Sequence, residues 1–333
     1  MIVITGGAGM IGSIIAWHLN TKLGHDELVI VDHITHEAQW QNLVHRQYAE
    51  YLDKDQLFDF LEGNDDVTAV IHMGAISATT ERDFNKLVEA NIHYSQDLWA
   101  WCTEHHVPFF YASSAATYGD GSLGYDDASI DKLRPLNGYG YSKHFFDQWA
   151  LKQLPENSPP AWAGFKFFNV YGPNEYHKER MASVAFHTFN QFSQTGVMKL
   201  FKGTDNLKGS GVGVKDGEQQ RDFVYVKDAA AIVAYFFSAA LTNKPAPNGI
   251  YNIGTGKARS FKDLATNVMT SMGKTPNIEY IDMPLDLQGK YQYYTEAPTA
   301  KIRSAGYKLP MTSLEDGVKD YVQNYLMQDD PYC

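Results

Sequence analysis

The stretch Ile2-Val3-Ile4-Thr5-Gly6-Gly7-Ala8-Gly9-Met10-Ile11-Gly12 constrains this chain more than any other. A short apolar run is followed by glycines spaced GxxGxxG and then by an amphipathic pattern from about Met10 to Lys22. The run reads as a buried strand and the pattern as a helix. Gly6 permits the tight turn between them, Gly9 lets backbone approach a pyrophosphate, and Gly12 lets helix pack on strand. A glycine triplet alone is a common turn. One that follows a strand and opens a helix has the context of a dinucleotide site. Glu27 to Val31 is a second apolar strand and ends in Asp32, about 20 residues beyond the third glycine. An acidic group there bonds a ribose 2′-hydroxyl and, taken alone, favours NAD over NADP.

The same alternation continues. Val67 to His72, Pro108 to Ala112 and Trp162 to Asn169 read as strands; Asp53 to Leu61, Phe84 to His105 and Tyr139 to Gln153 read as helices. Such alternation means βαβ units and a parallel sheet. The expected fold is therefore α/β, a Rossmann-type doubly wound parallel sheet with a smaller α/β substrate domain. Residues 1–170 would be mainly the NAD(P)-binding domain and 171–333 mainly the substrate domain, with about 221–256 returning to the large one. In that second half Met181 to Gln194 looks helical. Asp222 to Val226 looks like a strand, with Asp228 starting a helix to about Ala240. Ile250 to Ile253 is a further strand. Ser260 would cap a helix from Phe261 to Met272 with Asp263 at its third position, and Thr312 or Ser313 a last helix to about Leu326. Lys208 to Gln219 is rich in glycine and charge and reads as a mobile loop.

The 333 residues, 44% hydrophobic, are enough for a large core. The net charge of -11 argues against a nucleic-acid or membrane binder, since both need a basic footprint. Cys102 and Cys333 are the two cysteines, too few for a disulfide framework, and the twelve histidines show no metal-binding spacing. No leader and no apolar run of about 18 residues is seen, so a reducing cytoplasm is the expected setting and no metal site is expected.

Tyr139-Gly140-Tyr141-Ser142-Lys143 carries the chemistry. Tyr139 and Lys143 are four apart on a helix and share a face. A phenol near pKa ~10 is a poor base at neutral pH. A neighbouring ammonium and a positive nicotinamide ring favour the phenolate. Lys143 can also bond a cofactor ribose. Because this spacing recurs by chance, its meaning rests on Ser113-Ser114, where a hydroxyl just after a strand can bond the reacting oxygen. Other residues keep two readings. Gly74-Ala75, after His72-Met73, either admit a cofactor or form a simple turn. Asn91 is either bonded to backbone or on the surface. His177 to Arg180 is a solvated loop or a site, and Arg221 a surface ion pair or a ligand.

With these motifs the chain resembles the extended short-chain dehydrogenase/reductase superfamily, through TGGAGMIG, the run Ser113 to Gly119 and YGYSK. The stretches HMGAISATTE (72–81), LNGYGYSKHFFD (136–147), FFNVYGPNEYHKERMASVAFH (167–187), RDFVYVKD (221–228), YNIGTGKARSF (251–261) and KYQYYTEA (290–297) are similar, nearly end to end, to the branch that epimerises ADP-heptoses. That resemblance implies inversion at C6″ of ADP-D-glycero-D-manno-heptose through a transient 6″-ketone, in lipopolysaccharide core biosynthesis. It implies a tightly bound NADP, with NAD possible, and a homo-oligomer, a pentamer in that branch. Tyr139 and Lys178 would be the acid/base groups, with Ser114 and Lys143 assisting. Gly6, Gly9, Met10, Ile11, Gly12, Asp32, His33, Gln39, Lys54, Met73, Gly74, Ala75, Ile76, Ser77, Asn91, Lys143, Val170 and Lys178 would meet the cofactor. Ser114, Asn169, Arg180, His187, Phe201, Lys202, Gly203, Thr204, Arg221 and Tyr291 would meet the substrate, and Gln292 has no assigned role.

The chain departs from that branch in places. A lysine usually follows Asp32 closely enough to meet a 2′-phosphate; here the first basic residue is Arg46, leaving Lys54. The residue after His177-Lys178 is often glycine; here it is Glu179. Within enzymes the alternative is another nucleotide-sugar epimerase or a 4,6-dehydratase, which needs a paired carboxylate that Glu81 lacks. A non-catalytic dinucleotide-binding regulator is the alternative of another class, and it has no need of Tyr, Lys and Ser together.

Overall fold

The computed structural model describes residues 1–204, 213–242, 248–284 and 292–333. Tyr291, and the 208–219 loop as far as residue 212, lie outside the described residues.

Seven strands form one wholly parallel sheet: β1 (Ile2–Thr5), β2 (Leu28–Asp32), β3 (Glu50–Asp53), β4 (Ala69–His72), β5 (Phe109–Ser114), β6 (Trp162–Phe167) and β10 (Gly249–Ile253). Their order is β10-β6-β5-β4-β1-β2-β3. The chain starts in the middle, runs out one way to β3, crosses back to β4 and runs out the other way. Strand order therefore reverses between β1 and β4, and in such sheets ligands lie outside the carboxyl ends at that point. Thr5 is in register with both Val31 and His72, so three carboxyl ends finish level there.

Alternation along the strands builds two cores. Ile2, Ile4 and Ile30 face α1 (Met10–His18) and α7 (Val226–Leu241). Val3, Val29 and Val70 face the other way, onto α2 (Leu57–Glu62), α4 (Tyr94–Glu104) and α5 (Gly138–Leu151), whose Leu57, Trp99 and Phe146 fill that side. A parallel strand covered on both faces has no polar side, which is why IVIT carries no alternation of polarity.

The rest builds smaller sheets. β7 (Asn169–Tyr171), β9 (Gln220–Tyr225) and β11 (Ala258–Ser260) form one, and β8 (Met198–Phe201) and β12 (Ile278–Ile281) another. α6 (Val184–Thr195) and α8 (Phe261–Ser271) pack beside the second. α9 (Ala300–Ser304) and α10 (Leu314–Tyr321) follow.

Several expectations are refined. The Phe84 to His105 helix is α3 (Phe84–Val88), a π turn at Glu89–His93, then α4. Trp162 to Asn169 divides, because the chain leaves the large sheet after Phe167 and enters the small one at Asn169. Asp228 does not start α7. It sits in the first turn and accepts from the Thr312 amide (2.7 Å) and hydroxyl (2.9 Å), fastening α7 to the approach to α10. Ser313, not Thr312, caps α10, and Ser260 with Asp263 makes a reciprocal capping box on α8. No helix among the described residues is long and apolar enough to cross a membrane.

A methyl added at Gly12 would lie 2.2 Å from the Gly6 carbonyl oxygen and 2.8 Å from the Gly7 Cα. Backbone cannot yield as a side chain does, so Gly12→Ala is expected to cost about 3 kcal/mol, the upper end for overpacking. A lowered denaturant midpoint at unchanged slope checks this.

Candidate active site

The glycine turn is built as its residue types require. Gly6 has φ +63, and a Cβ there would lie 2.6 Å from the Gly74 nitrogen. A Cβ at Gly9 would meet only the Gly6 oxygen, at 3.1 Å, so that side of the turn stands open. No side chain caps α1, and its first turn holds no acid. The amides of Met10, Ile11 and Gly12 thus point out of a positive helix end, the arrangement that binds a pyrophosphate. Asp32 accepts from the Ala8 amide (2.9 Å) and the His33 amide (2.8 Å), and the Gln39 side chain also bonds it. Burial is the largest influence on its carboxyl and raises the pKa, against these hydrogen bonds.

Gly6, Asp32, His33, Lys54, Gly74, Ala75 and Ile76 line one cavity of about 640 Å³ at the carboxyl ends of β1, β2 and β4. At its outer end His33 pairs with Asp53 (2.8 Å) and Lys54 with Asp55, both exposed.

A relay of hydrogen bonds sets the inner wall. The Ser95 hydroxyl donates to the Asn91 carbonyl (3.0 Å), so His72 Nε2 donates to Ser95 (2.9 Å). In a neutral imidazole Nδ1 then accepts from the Thr5 hydroxyl (2.6 Å), whose oxygen accepts from the Gly74 amide (3.1 Å). Asn91 is fully engaged rather than on the surface. It accepts from the Ile76 amide (2.9 Å) and donates to the Ile76 carbonyl (3.1 Å) and to Ser142 (3.0 Å), tying the 74–77 loop to α5.

Asn137 caps α5, which places Tyr139 and Lys143 in its first turns. The Tyr139 hydroxyl is hydrogen-bonded to Ser114, at the end of β5. Ser114 Oγ accepts from the Ala116 amide (3.1 Å), which leaves its proton for the phenol oxygen. Burial raises the Tyr139 pKa, while the Ser114 bond favours phenolate. Lys143 is buried, and burial pushes it down to about 8, with the Asp147 carboxylate opposing. Ser114, Tyr139 and Lys143 thus stand together.

Lys178 stands elsewhere. Its Nζ lies 3.9 Å from the Met10 sulfur, over the start of α1, and burial lowers its pKa against Glu175. Among the described residues no hydrogen bond joins it to Tyr139, Lys143 or Ser114. Its segment is docked by Asn42, which donates to the Ala8 carbonyl (2.8 Å) and the Asn174 carbonyl (3.1 Å), and by Asn174, which donates to Ser13 (2.9 Å). Glu179 has φ +45 and ψ -123, a conformation costly for any residue with a Cβ.

Of the residues expected to meet a substrate, His187 faces the Arg180 carbonyl at 3.4 Å. Phe201 ends β8; Gly203 donates to Asp216 (2.8 Å), Lys202 pairs with Asp282 (3.0 Å) and Thr204 bridges Val214. Arg221 is 6% exposed on β9, its guanidinium 5.4 Å from the Phe261 ring centre, so it is no surface ion pair. Asn169 is exposed and Val170 half-buried on β7. Gln292 donates to the Gly119 carbonyl. Asn42, Asn174, Thr5 and Asp147 were not anticipated. Only Asp147 left a local signal, one turn beyond Lys143 on the same helix face.

A sequence profile of the NAD dependent epimerase/dehydratase family matches residues 2–254. The chain belongs to that family. Among curated members of known name, this epimerase/dehydratase is 52% identical to the ADP-L-glycero-D-manno-heptose-6-epimerase of Fusobacterium nucleatum and 48% to that of Nitratidesulfovibrio vulgaris, each pairing covering all of both chains. The structure of the Helicobacter pylori ADP-L-glycero-D-manno-heptose-6-epimerase superposes with a TM-score of 0.76 at 26% identity, over 97% of this chain and 95% of that one. The Thermus thermophilus UDP-glucose 4-epimerase, in complex with NAD, superposes at 0.75 and 21% identity, over 96% and 97%, a likeness of fold. A dinucleotide suits the crevice of this epimerase: the glycine cradle, the open helix end and Asp32 are all present.

His72 makes the crevice sensitive to acid. It is buried and pushed down to about 3 by burial and Lys143. Between pH 6.5 and 3 the unfolded chain binds a proton there that the folded chain does not. Stability is therefore lost as pH falls, by about 1.4 kcal/mol per unit from this group. Chemical denaturation at pH 6.5 to 4 is expected to show a shallower loss in His72→Gln than in the unaltered protein.

Proposed function

We propose that this epimerase inverts C6″ of ADP-D-glycero-D-manno-heptose, giving the L-glycero epimer through a 6″-ketone, for the lipopolysaccharide core. The observation that carries this is the Ser114–Tyr139 hydrogen bond with Lys143 one turn on, beside a dinucleotide crevice, in a chain alike end to end to named ADP-heptose epimerases. When bound, the dinucleotide supplies a hydride acceptor and returns the hydride, so no net oxidation results.

Tyr139 takes the proton from the C6″ hydroxyl, Ser114 holds that oxygen, and the Lys143 ammonium favours the phenolate. In the product the hydroxyl points the other way, beyond reach of one fixed base. Lys178, on a segment docked against the crevice, is the second base, and its depressed pKa suits that task. The part after residue 170 holds the substrate. Arg221 and His187 are assigned to its pyrophosphate, and Asn169, Arg180 and Phe201 to Thr204 to the remainder.

We assign NADP as cofactor, with Lys54 meeting its 2′-phosphate. The Lys54–Asp55 pair is exposed, and such a pair is worth only about 0–1 kcal/mol, so a phosphate readily takes the place of Asp55. Asp32 favours the second reading, NAD.

Tyr139→Phe and Lys178→Met are each expected to lower epimerisation about 100-fold or more while retaining fold and cofactor. NMR of the C6″ configuration during incubation with ADP-D-glycero-D-manno-heptose measures it. Full activity in Lys178→Met would leave Tyr139 as the sole base, and accumulating reduced cofactor would make the protein a dehydrogenase. For the cofactor, NADP is expected to bind more tightly than NAD and to lose that advantage in Lys54→Ala. Titration showing NAD tenfold tighter, ~1.4 kcal/mol, overturns the assignment.

A further inference from the structure

One buried ion pair lies behind the active helix, and the mechanism above does not use it. Asp147 is on α5, one turn beyond Lys143 and two beyond Tyr139, so the three share a face. Its side chain and that of Lys166, on β6, are both fully buried, with Nζ and Oδ2 2.5 Å apart. The same carboxylate accepts from Ser113 Oγ (2.6 Å) and from the Tyr111 hydroxyl (3.0 Å), both on β5. Lys166 also donates to Thr117 Oγ1 (2.7 Å) and lies 5.2 Å from the Tyr118 ring centre, in the turn that Ser114 caps. Every member of the cluster is 2% exposed or less. A buried pair is weak as a source of stability, since apolar side chains of similar volume do as well.

We propose that Asp147, with Lys166 as its counter-charge, is the positioning residue of the Ser114–Tyr139–Lys143 set. It clamps the end of β5 against α5 and supplies the field in which the two titrating groups work. This rests on Tyr139 and Lys143 being the catalytic pair. Asp147 opposes the effect of burial on Lys143 and adds to it on Tyr139. The other groups facing the cluster are His144 on α5, Asp127, and Lys301 on α9; His72, buried and neutral, faces Lys143.

The test needs no substrate. In protein labelled with 13C at lysine Cε, the Lys143 signal is assigned by its loss in Lys143→Met, and its titration is followed by NMR. The midpoint is expected near 8 in the unaltered protein. It should fall by about one unit or more in Asp147→Asn and rise in Lys166→Met, with the double variant Asp147→Asn/Lys166→Met between Asp147→Asn and the unaltered protein. Single-variant midpoints that stay in place or move the same way overturn the proposal. If the single variants unfold, the double variant, which buries no charge, decides: its midpoint must lie below the unaltered value. A double variant that itself unfolds makes the pair a folding element and also overturns the proposal. With ADP-heptose, the double variant should lose about tenfold in kcat at unchanged KM. Absence of turnover in the unaltered protein would sink the substrate assignment alone, leaving the NMR result to stand.

Discussion

The approach of the Gly6 backbone to the Met73–Gly74 peptide sets the spacing on which the crevice depends. Two carboxyl ends, β1 and β4, finish level and diverge there, and no Cβ fits between them. The gap is held by Thr5, which bonds Gly74 on one side and His72 on the other. From His72 the connection runs through Ser95 to the Asn91 carbonyl, and the Asn91 side chain carries it to Ile76 and Ser142. Ser142 Oγ in turn donates to the carbonyl of Tyr139 (2.8 Å). The glycine turn and the helix that carries Tyr139 and Lys143 therefore belong to one hydrogen-bonded frame. A neutral imidazole lies at its centre, kept so by burial first and by Lys143 second, and its free ring nitrogen is the acceptor that Thr5 uses.

What could be read beforehand is what local rules govern. The strand, turn and helix from Ile2 onward declare themselves through an apolar run, three glycines and a helical period. The capping box at Ser260 and Asp263 lies within four residues, and Tyr139, Lys143 and Ser114 sit on elements whose positions the pattern implies. β3 was missed because it is an edge strand carrying Glu50 and Asp53, with no apolar run to mark it. β8, β11 and β12 are as short as β1 and β4 but only partly buried, so no continuous apolar run marks them.

The site residues that escaped are those whose partners lie far away in sequence. Asn42 and Asn174 are 132 residues apart, and Asn174 and Ser13 are 161 apart. No spacing rule links them, and in the chain they look like ordinary loop asparagines. The place of Lys178 is hidden for the same reason. Its type and its neighbours pointed to a site, but its seat over Met10 depends on that docking. Lys54, expected at the cofactor, has Asp55 beside it in the chain itself, whereas the pairing of His33 with Asp53, 20 residues away, is made by the fold.

Glu179 gives the docked segment a further character. A side chain held at positive φ raises the energy of the resting arrangement by about 1–3 kcal/mol relative to one relaxed there. The segment that carries Lys178 over α1 is held against that strain by the asparagine contacts together with its own Lys178 amide to Glu175 carbonyl bond (2.9 Å). Departure from that seat is easier than the number of contacts implies, because leaving releases a tension that staying must sustain.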